Sequence, residues 1–346
     1  MRDKSLKSKI LVTGGLGYIG AHVVVELQKE GFEVVIIDDL SNSSKDVLEG
    51  ITSITGVVPL FERFDLKEKD LVSDFFRRHQ DIDGVIHFAA SKAVGESVKE
   101  PLMYYNNNIS PLVYILKELQ KMKVANFIFS SSCTVYGQAD SLPIKESAPV
   151  KAAESPYGNT KQIGEEIIKD TCKVSNHIKA IALRYFNPIG AHESAQIGEL
   201  PIGVPQNLVP FITQTAIGLR EHLSVFGDDY PTEDGTCIRD YIHVVDLANA
   251  HVAALKRLIN KDNSDNFEVF NIGTGKGSSV LEVIKTFEEV SGQNLNYNII
   301  DRRVGDVIAA YADTAKANEV LGWKSKYSLK EALSSAWKWE QKVREK

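Results

Sequence analysis

The sequence predicts a doubly wound α/β fold, a parallel sheet with helices on both faces, carrying a smaller mixed α/β substrate lobe. Three observations lead there. Short β-branched runs alternate with amphipathic helical segments through the first half. Several of those runs are apolar throughout, as strands buried on both faces are. A glycine-rich turn follows the first run and opens the first helical segment, the arrangement of a nucleotide-binding βαβ unit.

The first strand is Lys9 to Thr13, with Ile10, Leu11 and Val12 at its centre. Glu33 to Ile37, Gly84 to Phe88, Asn126 to Ser131 and Lys179 to Leu183 repeat its pattern. Between them, Ile19 to Glu30, Glu68 to Arg78, Pro101 to Met122 and Tyr157 to Ser175 carry apolar residues at helical spacing. From about Phe186 the rhythm gives way to a stretch dense in Gly, Pro and Asn that runs to Gly235. A helix is then expected over Val244 to Leu258, a strand over Glu268 to Ile272, and helices over Ser279 to Ser291, Thr314 to Leu321 and Leu329 to Glu345. The expected division is a Rossmann-like nucleotide-binding domain over 1–185 and a lobe mainly over 186–346. Segments near 236–275 are expected to rejoin the first sheet.

Composition narrows the function. The chain has 346 residues, 43% hydrophobic and 25% charged, with 40 Lys+Arg against 46 Asp+Glu, a net charge of −6. Those are ordinary globular proportions, and the length suits about two domains. Acidic balance without a long basic block argues against nucleic acid as a partner. The basic stretch Met1 to Lys9 precedes only three apolar residues, so no signal peptide is expected. No run approaches the roughly 18 apolar residues of a membrane span. Cys133, Cys172 and Cys237 are far apart and form no CxxC spacing, which suits neither a disulfide framework nor a metal site. The expected setting is reducing and cytoplasmic.

Thr13-Gly14-Gly15-Leu16-Gly17-Tyr18-Ile19-Gly20 lies between a strand and a helix. Glycines at 14, 17 and 20 permit a tight turn, close backbone approach to a pyrophosphate, and close packing of helix on strand. Asp38 ends the next strand, where a carboxylate would accept hydrogen bonds from an adenosine ribose diol. This favours NAD, since Asp38 and Asp39 would repel a 2′-phosphate. Asp65 and Leu66, after a further strand, could meet the adenine edge.

Tyr157-Gly158-Asn159-Thr160-Lys161 puts a phenol and an ammonium on one helix face. A free tyrosine, with a pKa of about 10, is a poor base at neutral pH. A fixed lysine and an oxidised nicotinamide would favour its phenolate, allowing Tyr157 to take a proton from a substrate hydroxyl. Ser130-Ser131-Ser132-Cys133-Thr134-Val135-Tyr136-Gly137 follows a strand whose end should open on the cofactor, and Ser132 could relay or share that proton.

On these residues the chain resembles the extended short-chain dehydrogenase/reductases, and among them the UDP-glucose 4-epimerase family. Further blocks carry the likeness: His87 to Ser97, Arg184-Tyr185-Phe186-Asn187-Pro188, Tyr230 to Thr236 and Arg239-Asp240-Tyr241-Ile242-His243-Val244. Together the blocks reach from residue 9 to residue 323, essentially the whole chain. The resemblance implies a tightly held NAD and a UDP-sugar substrate whose C4 is oxidised and then reduced on its other face. Ser132, Tyr157 and Lys161 would be catalytic. NAD would meet Gly14, Gly17, Tyr18, Ile19, Gly20, Asp38, Asp39, Asn42, Ser43, Asp65 and Leu66. It would also meet Phe88, Ala89, Ala90, Lys92, Asn107, Ser130, Tyr157, Lys161, Tyr185 and Phe186. The UDP-sugar would meet Lys92, Ser132, Tyr157, Asn187, Asn207, Leu208, Ser224, Val225, Phe226, Arg239, Tyr241, Arg303, Asp306 and Ala310. Arginines 239 and 303 suit bidentate contacts with phosphate or ribose oxygens. A homodimer through the Pro101 to Met122 and Tyr157 to Ser175 helices is the family expectation.

One position departs from the pattern. Where some epimerases hold a bulky tyrosine against the sugar, this chain has Ala310, with Tyr311 next to it as the alternative register. A small residue there leaves room for a 2-acetamido group, which extends the expected substrates to UDP-GlcNAc and UDP-GalNAc. The rival readings are a nucleotide-sugar dehydratase or decarboxylase, or a sensor that kept the fold and lost the chemistry. Similar dehydratases carry an acid pair after the serine or threonine, and decarboxylases often a glutamate, where this chain has Cys133 and Thr134. A sensor would usually have lost the tyrosine or lysine.

Overall fold

The computed structural model describes residues 8–122, 125–303 and 306–345. Most of the basic segment at the start, and two residues of the stretch following Arg303, lie outside them. Contacts divide the chain into two units. The first takes the residues up to Gly137, Val150–Arg184 and Ala248–Phe270; the second takes Gln138–Pro149, Tyr185–Leu247 and the residues from Asn271.

In the first unit β1 (Lys9–Thr13), β2 (Glu33–Ile37), β3 (Leu60–Glu62), β4 (Ile82–His87), β5 (Ala125–Ser132) and β6 (Ile178–Tyr185) alternate with helices. The helices are α1 (Tyr18–Lys29), α2 (Val47–Thr55), α3 (Lys69–Arg78), α4 (Val94–Lys99), α5 (Pro101–Leu119) and α6 (Pro156–Val174). A seven-stranded sheet results, in the order Phe267–Ile272, β6, β5, β4, β1, β2, β3. Pairings β1 with β2, β1 with β4, β2 with β3 and β4 with β5 are parallel. The order reverses beside β1, since β2 lies on one flank and β4 on the other, so the C-terminal ends of β1 and β4 border a topological switch point. Every residue of β5 is buried, which is why that run shows no polar alternation. Leu11, Val35, Val85, Phe127 and Ala180 share one core with Phe75, Leu112, Ile115 and Ile168 from the covering helices.

Of these elements α2 is absent from the sequence-based reading, β3 enters it only as a strand without bounds before Asp65, and α4 is absent. Each is short, at nine, three and six residues, and periodicity is weakest over such lengths. The Gly/Pro/Asn-rich stretch also holds more order than its composition suggests, with a strand at Asn187–Ile189, a helix at Leu208–Ala216 and a strand at Leu223–Phe226.

The second unit is a mixed α/β body. Asn187–Ile189 pairs in parallel with Tyr241–His243, Leu223–Phe226 with Tyr297–Ile300, and Ile238–Arg239 with Ala309–Ala310. Ile189, Val209, Ile212, Val225, Tyr241, Val283, Phe287 and Leu333 form its core. Its two longer helices, Val280–Ser291 and Leu329–Arg344, both start on reciprocal capping boxes, Ser279 with Glu282 and Ser328 with Glu331. Asp240 is fully buried and accepts hydrogen bonds from Thr274 N and Oγ1, Gly275 N and Ala312 N. That carboxylate ties the 273–275 turn and the strand after Ala310 to the segment bearing Arg239. Burial still pushes the Asp240 carboxyl above its usual range.

The glycine turn is the tightest part of the first unit. A Cβ on Gly20 would lie 2.2 Å from Gly14 O, whereas one on Gly17 would lie 3.2 Å from the same atom. Gly20→Ala should therefore lower stability by about 1–3 kcal/mol through overpacking, and Gly17→Ala by clearly less. Thermal unfolding of the two variants checks this; equal midpoints would show that the turn is not limited by this contact.

Candidate active site

In the first unit the glycine turn is held from both sides. Gly14 N donates to Ile37 O at 2.8 Å, and Gly17 N to Gly14 O at 3.1 Å. Gly14 has a φ of +67°, and a Cβ there would meet Ala89 N at 2.9 Å, so the Phe88–Ala89 backbone crosses this turn where only glycine fits. The turn leads directly into α1, whose first amides face outward from its N-terminus. Asp38 joins the cradle by its carboxylate, which accepts Leu16 N at 3.0 Å, Leu40 N at 3.0 Å and Ser43 Oγ at 2.7 Å. A carboxylate offers about four acceptor sites, so one remains for a ribose hydroxyl. Asp39 turns away into its own loop, accepting Ser41 N and Oγ. Asp65 accepts Lys67 N at 2.8 Å, and the Leu66 side chain is in the core, leaving its backbone to face a ligand. Asn107 donates to Ser91 Oγ at 3.1 Å, while its own side-chain oxygen is buried with no partner. These features suit a dinucleotide: a cradle a Cβ would fill, an acidic residue after β2, and a buried polar atom still to be satisfied.

The chemistry-bearing groups stand on α6 and at the end of β5. Ser155 caps α6 by accepting Gly158 N at 3.2 Å, and Pro156 occupies the first helical turn, so the start of the helix and Tyr157 are fixed. Ser132 ends β5 and accepts Thr134 N at 3.2 Å, capping the short turn Cys133–Tyr136. Its hydroxyl proton remains available to donate. Lys161 is 4% exposed and donates from Nζ to Ser130 O at 2.7 Å. Its ammonium lies 5.0 Å from the centre of the Phe129 ring and 5.8 Å from that of Tyr157. Burial lowers the Lys161 pKa to about 8, against the opposing pull of Glu165. His87 on β4 bonds Thr13 Oγ1 at 2.7 Å. Burial, with Lys161 second, depresses its pKa to about 3, so at neutral pH it is an uncharged neighbour.

The second unit gathers a cationic cluster. Asp306 bridges two arginines: Arg303 donates Nε and a terminal nitrogen at 3.1 and 2.8 Å, and Arg239 approaches at 3.4 Å. The Arg303 guanidinium lies over the Phe226 ring at 5.5 Å. Ala310, 8% exposed, is the register partner of Arg239, and Asp240 N donates to Ala310 O at 3.0 Å. Tyr311 points the other way, its ring 3.0 Å from where a Gly277 Cβ would stand, as alternation along an extended strand requires. Asn187 pairs with Tyr241 across adjacent strands. Asn207 is exposed and donates to Glu199 at 2.6 Å. Two expected ligand contacts are differently placed. Val225 is 1% exposed in the core and Leu208 packs against that core, so Val225 can offer only its backbone; Ser224, its neighbour, alternates outward.

Buried Glu165 escaped the sequence reading, and its buried partner Arg184 entered it only within a matched block, with no role assigned. Glu165 continues the series Tyr157, Lys161 at the same four-residue step. That spacing was the available signal.

A glycine-cradled nucleotide fold with a serine, tyrosine and lysine gathered at one strand end defines the extended short-chain dehydrogenase/reductase class. A family model described as GDP-mannose 4,6 dehydratase matches residues 11–336. The chain is 48% identical to a UDP-glucose 4-epimerase of Bacillus subtilis over 96% of each sequence. A UDP-glucose 4-epimerase from Stenotrophomonas maltophila, solved with NAD and formylated UDP-arabinopyranose, superposes with a TM-score of 0.93 at 46% identity, covering 98% of this chain and 99% of that one. The enzyme from Bifidobacterium longum, solved with NAD+ and UDP, gives 0.93 at 43% identity over 97% and 99%. This chain belongs to the UDP-glucose 4-epimerase family.

Proposed function

We propose that this protein is an NAD-dependent isomerase that interconverts UDP-glucose and UDP-galactose at C4. The observation that carries the reading is the buried group at the end of β5 and the start of α6: Ser132, Tyr157 and a Lys161 ammonium anchored on Ser130 O. NAD, when bound, serves as the reversible hydride acceptor for the hexose C4. Gly14, Gly17 and Gly20 with the α1 N-terminus would hold its pyrophosphate, together with Lys92 and Asn107, and Asp38 its adenosine ribose. Tyr157 takes the proton of the 4-hydroxyl, the Lys161 ammonium favours the phenolate that does so, and Ser132 hydrogen-bonds the same oxygen as the proton moves. Return of that proton by Tyr157 completes the cycle with no net redox change. Arg239, Arg303 and Phe226 hold the UDP handle, with Asn187 and Asn207 beside them. The absence of an acid pair at Cys133 and Thr134 speaks against elimination of water. The same reading carries a cytoplasmic homodimer paired through α5 and α6, where Leu102 and Val174 are exposed.

Protein purified without added cofactor should release NAD on denaturation, because an epimerase restores its cofactor in each cycle. Tyr157→Phe should keep that NAD while turnover drops by roughly 10²–10⁴-fold, the size of a lost general base. Cofactor-free protein that needs NADPH would refute the reading.

A second expectation concerns pH. The Lys161 pKa is lowered from its ordinary value to about 8, so the ammonium is present below that pH and lost above it. Turnover should fall as pH rises through about 8, as an initial-rate profile with UDP-galactose would record. A rate still rising at pH 9.5 would remove Lys161 charge from the mechanism.

Small Ala310 beside Arg239 also supports activity on UDP-GlcNAc and UDP-GalNAc. Ala310→Tyr should then cost about 1–3 kcal/mol, or roughly 5- to 150-fold in rate, mainly on the N-acetylated pair. Equal losses on both sugar pairs, or a wild-type protein inactive on UDP-GalNAc, would shift the gate to another residue.

A further inference from the structure

The first unit contains a buried ion pair that the proposed chemistry does not use. Glu165 and Arg184 are 7% and 6% exposed, and the guanidinium donates to both carboxylate oxygens, at 2.9 and 2.5 Å. Ser131 donates to the same carboxylate at 2.5 Å, and the guanidinium lies 4.8 Å from the centre of the Tyr136 ring. The pair therefore touches the residue before Ser132, the turn after it, and the last part of β6. Glu165 also stands one helical turn beyond Lys161 on the same face of α6.

We infer that Glu165 is a positioning residue which, balanced by Arg184, holds the Lys161 ammonium in its charged form and aligns the strand end that bears Ser132. The inference rests on the reading above that Lys161 serves Tyr157. Its physical basis is that the interior leaves few other groups to act on Lys161. On α6 the neighbours are Tyr157 and Glu165, on β4 the uncharged His87, and on β5 the Ser130 carbonyl. Among the described residues, Glu165 is the carboxylate that acts on Lys161 against the cost of burial. Arg184 acts in the opposite sense, because it satisfies that carboxylate bidentately and cancels much of its field. A bare lysine in so dry a place would lose its proton; a carboxylate without its arginine would bind the lysine as a local ion pair and hold its charge more tightly.

The two partners must then change Lys161 in opposite directions, which a purely structural role would not do. The measurement is the titration of Lys161 by lysine 13Cε and 15Nζ NMR in the protein as purified, with the signal assigned through Lys161→Arg. Glu165→Gln keeps shape and the bond from Ser131 but removes the charge, and should lower the Lys161 midpoint by about 0.5–1 pH unit. Arg184→Gln keeps a donor to the carboxylate and should raise the midpoint. The double variant should fall between the two. Should Glu165→Gln fail to fold, the comparison of Arg184→Gln with the double variant still decides, the double variant having the lower midpoint. Midpoints that stay fixed, or that move the same way in both single variants, overturn the inference. If the midpoints move as stated while the alkaline limb of turnover stays in place, the inference stands and the role of Lys161 in turnover falls.

Discussion

The first unit is organised around one expensive act, the burial of a lysine ammonium. Lys161 has almost no contact with solvent, and a cation in that state keeps its proton only where the surroundings replace water. Ser130 O supplies one bond at 2.7 Å, the faces of Phe129 and Tyr157 supply quadrupole contact, and Glu165 supplies charge. Each of these demands a fixed neighbour. Phe129 and Ser130 are fixed because β5 is buried throughout its length. The helix is fixed because Ser155 and Pro156 set its start and because Gly164 lets it settle on the sheet, where a Cβ would stand 2.7 Å from Phe129 Cζ. Helix start, strand burial and ion pair are thus consequences of where one charge has to sit.

The nucleotide cradle meets the opposite problem, since it must stay open to an anion while remaining rigid. It does so with backbone. Glycines remove the side chains that would occupy the space, and Asp38 pins the loop through the Leu16 and Leu40 amides and the Ser43 hydroxyl. A carboxylate spent partly on its own loop is preorganised, so less ordering is left to be done when a ribose binds. In the second unit the balance differs again. Arg303 and Arg239 share Asp306, an arrangement that keeps two guanidiniums together that would otherwise repel, and a phosphate can take over part of that role.

The large features of this arrangement were legible in the sequence. Continuous apolar runs gave β1, β2, β4, β5 and β6 within two residues at either end, and the order Gly-rich turn, serine, YxxxK pointed to one strand end. The second half was less legible for physical reasons. Asn187–Ile189 and Ala309–Ala310 are three- and two-residue strands, whose pairing is set by tertiary context rather than by any period in the chain. Motif likeness also names residues without saying which atoms face a ligand. Val225 and Leu66 stand among the expected ligand contacts, yet their side chains build cores. Glu165 was missed from the other direction: on sequence it reads as one more surface glutamate of an amphipathic helix, and only the arginine arriving from β6 makes it a buried group.

The difference between epimerisation and its closest chemical rival comes down to a very short segment. Oxidation at C4 acidifies the neighbouring carbon, so any enzyme that holds a 4-keto sugar is within reach of eliminating water. To do so it needs an acid to protonate the departing hydroxyl. In this chain the turn after Ser132 offers Cys133 and Thr134. A thiol and an alcohol are far weaker acids than a carboxyl group. The Thr134 hydroxyl is buried without a partner, so it can take part in hydrogen bonding, but not in proton donation to a leaving group at neutral pH. With the acid–base groups proposed above, Tyr157 and Ser132 at a single oxygen, the proton returns to the oxygen it came from, and the product differs from the substrate only in the configuration at C4.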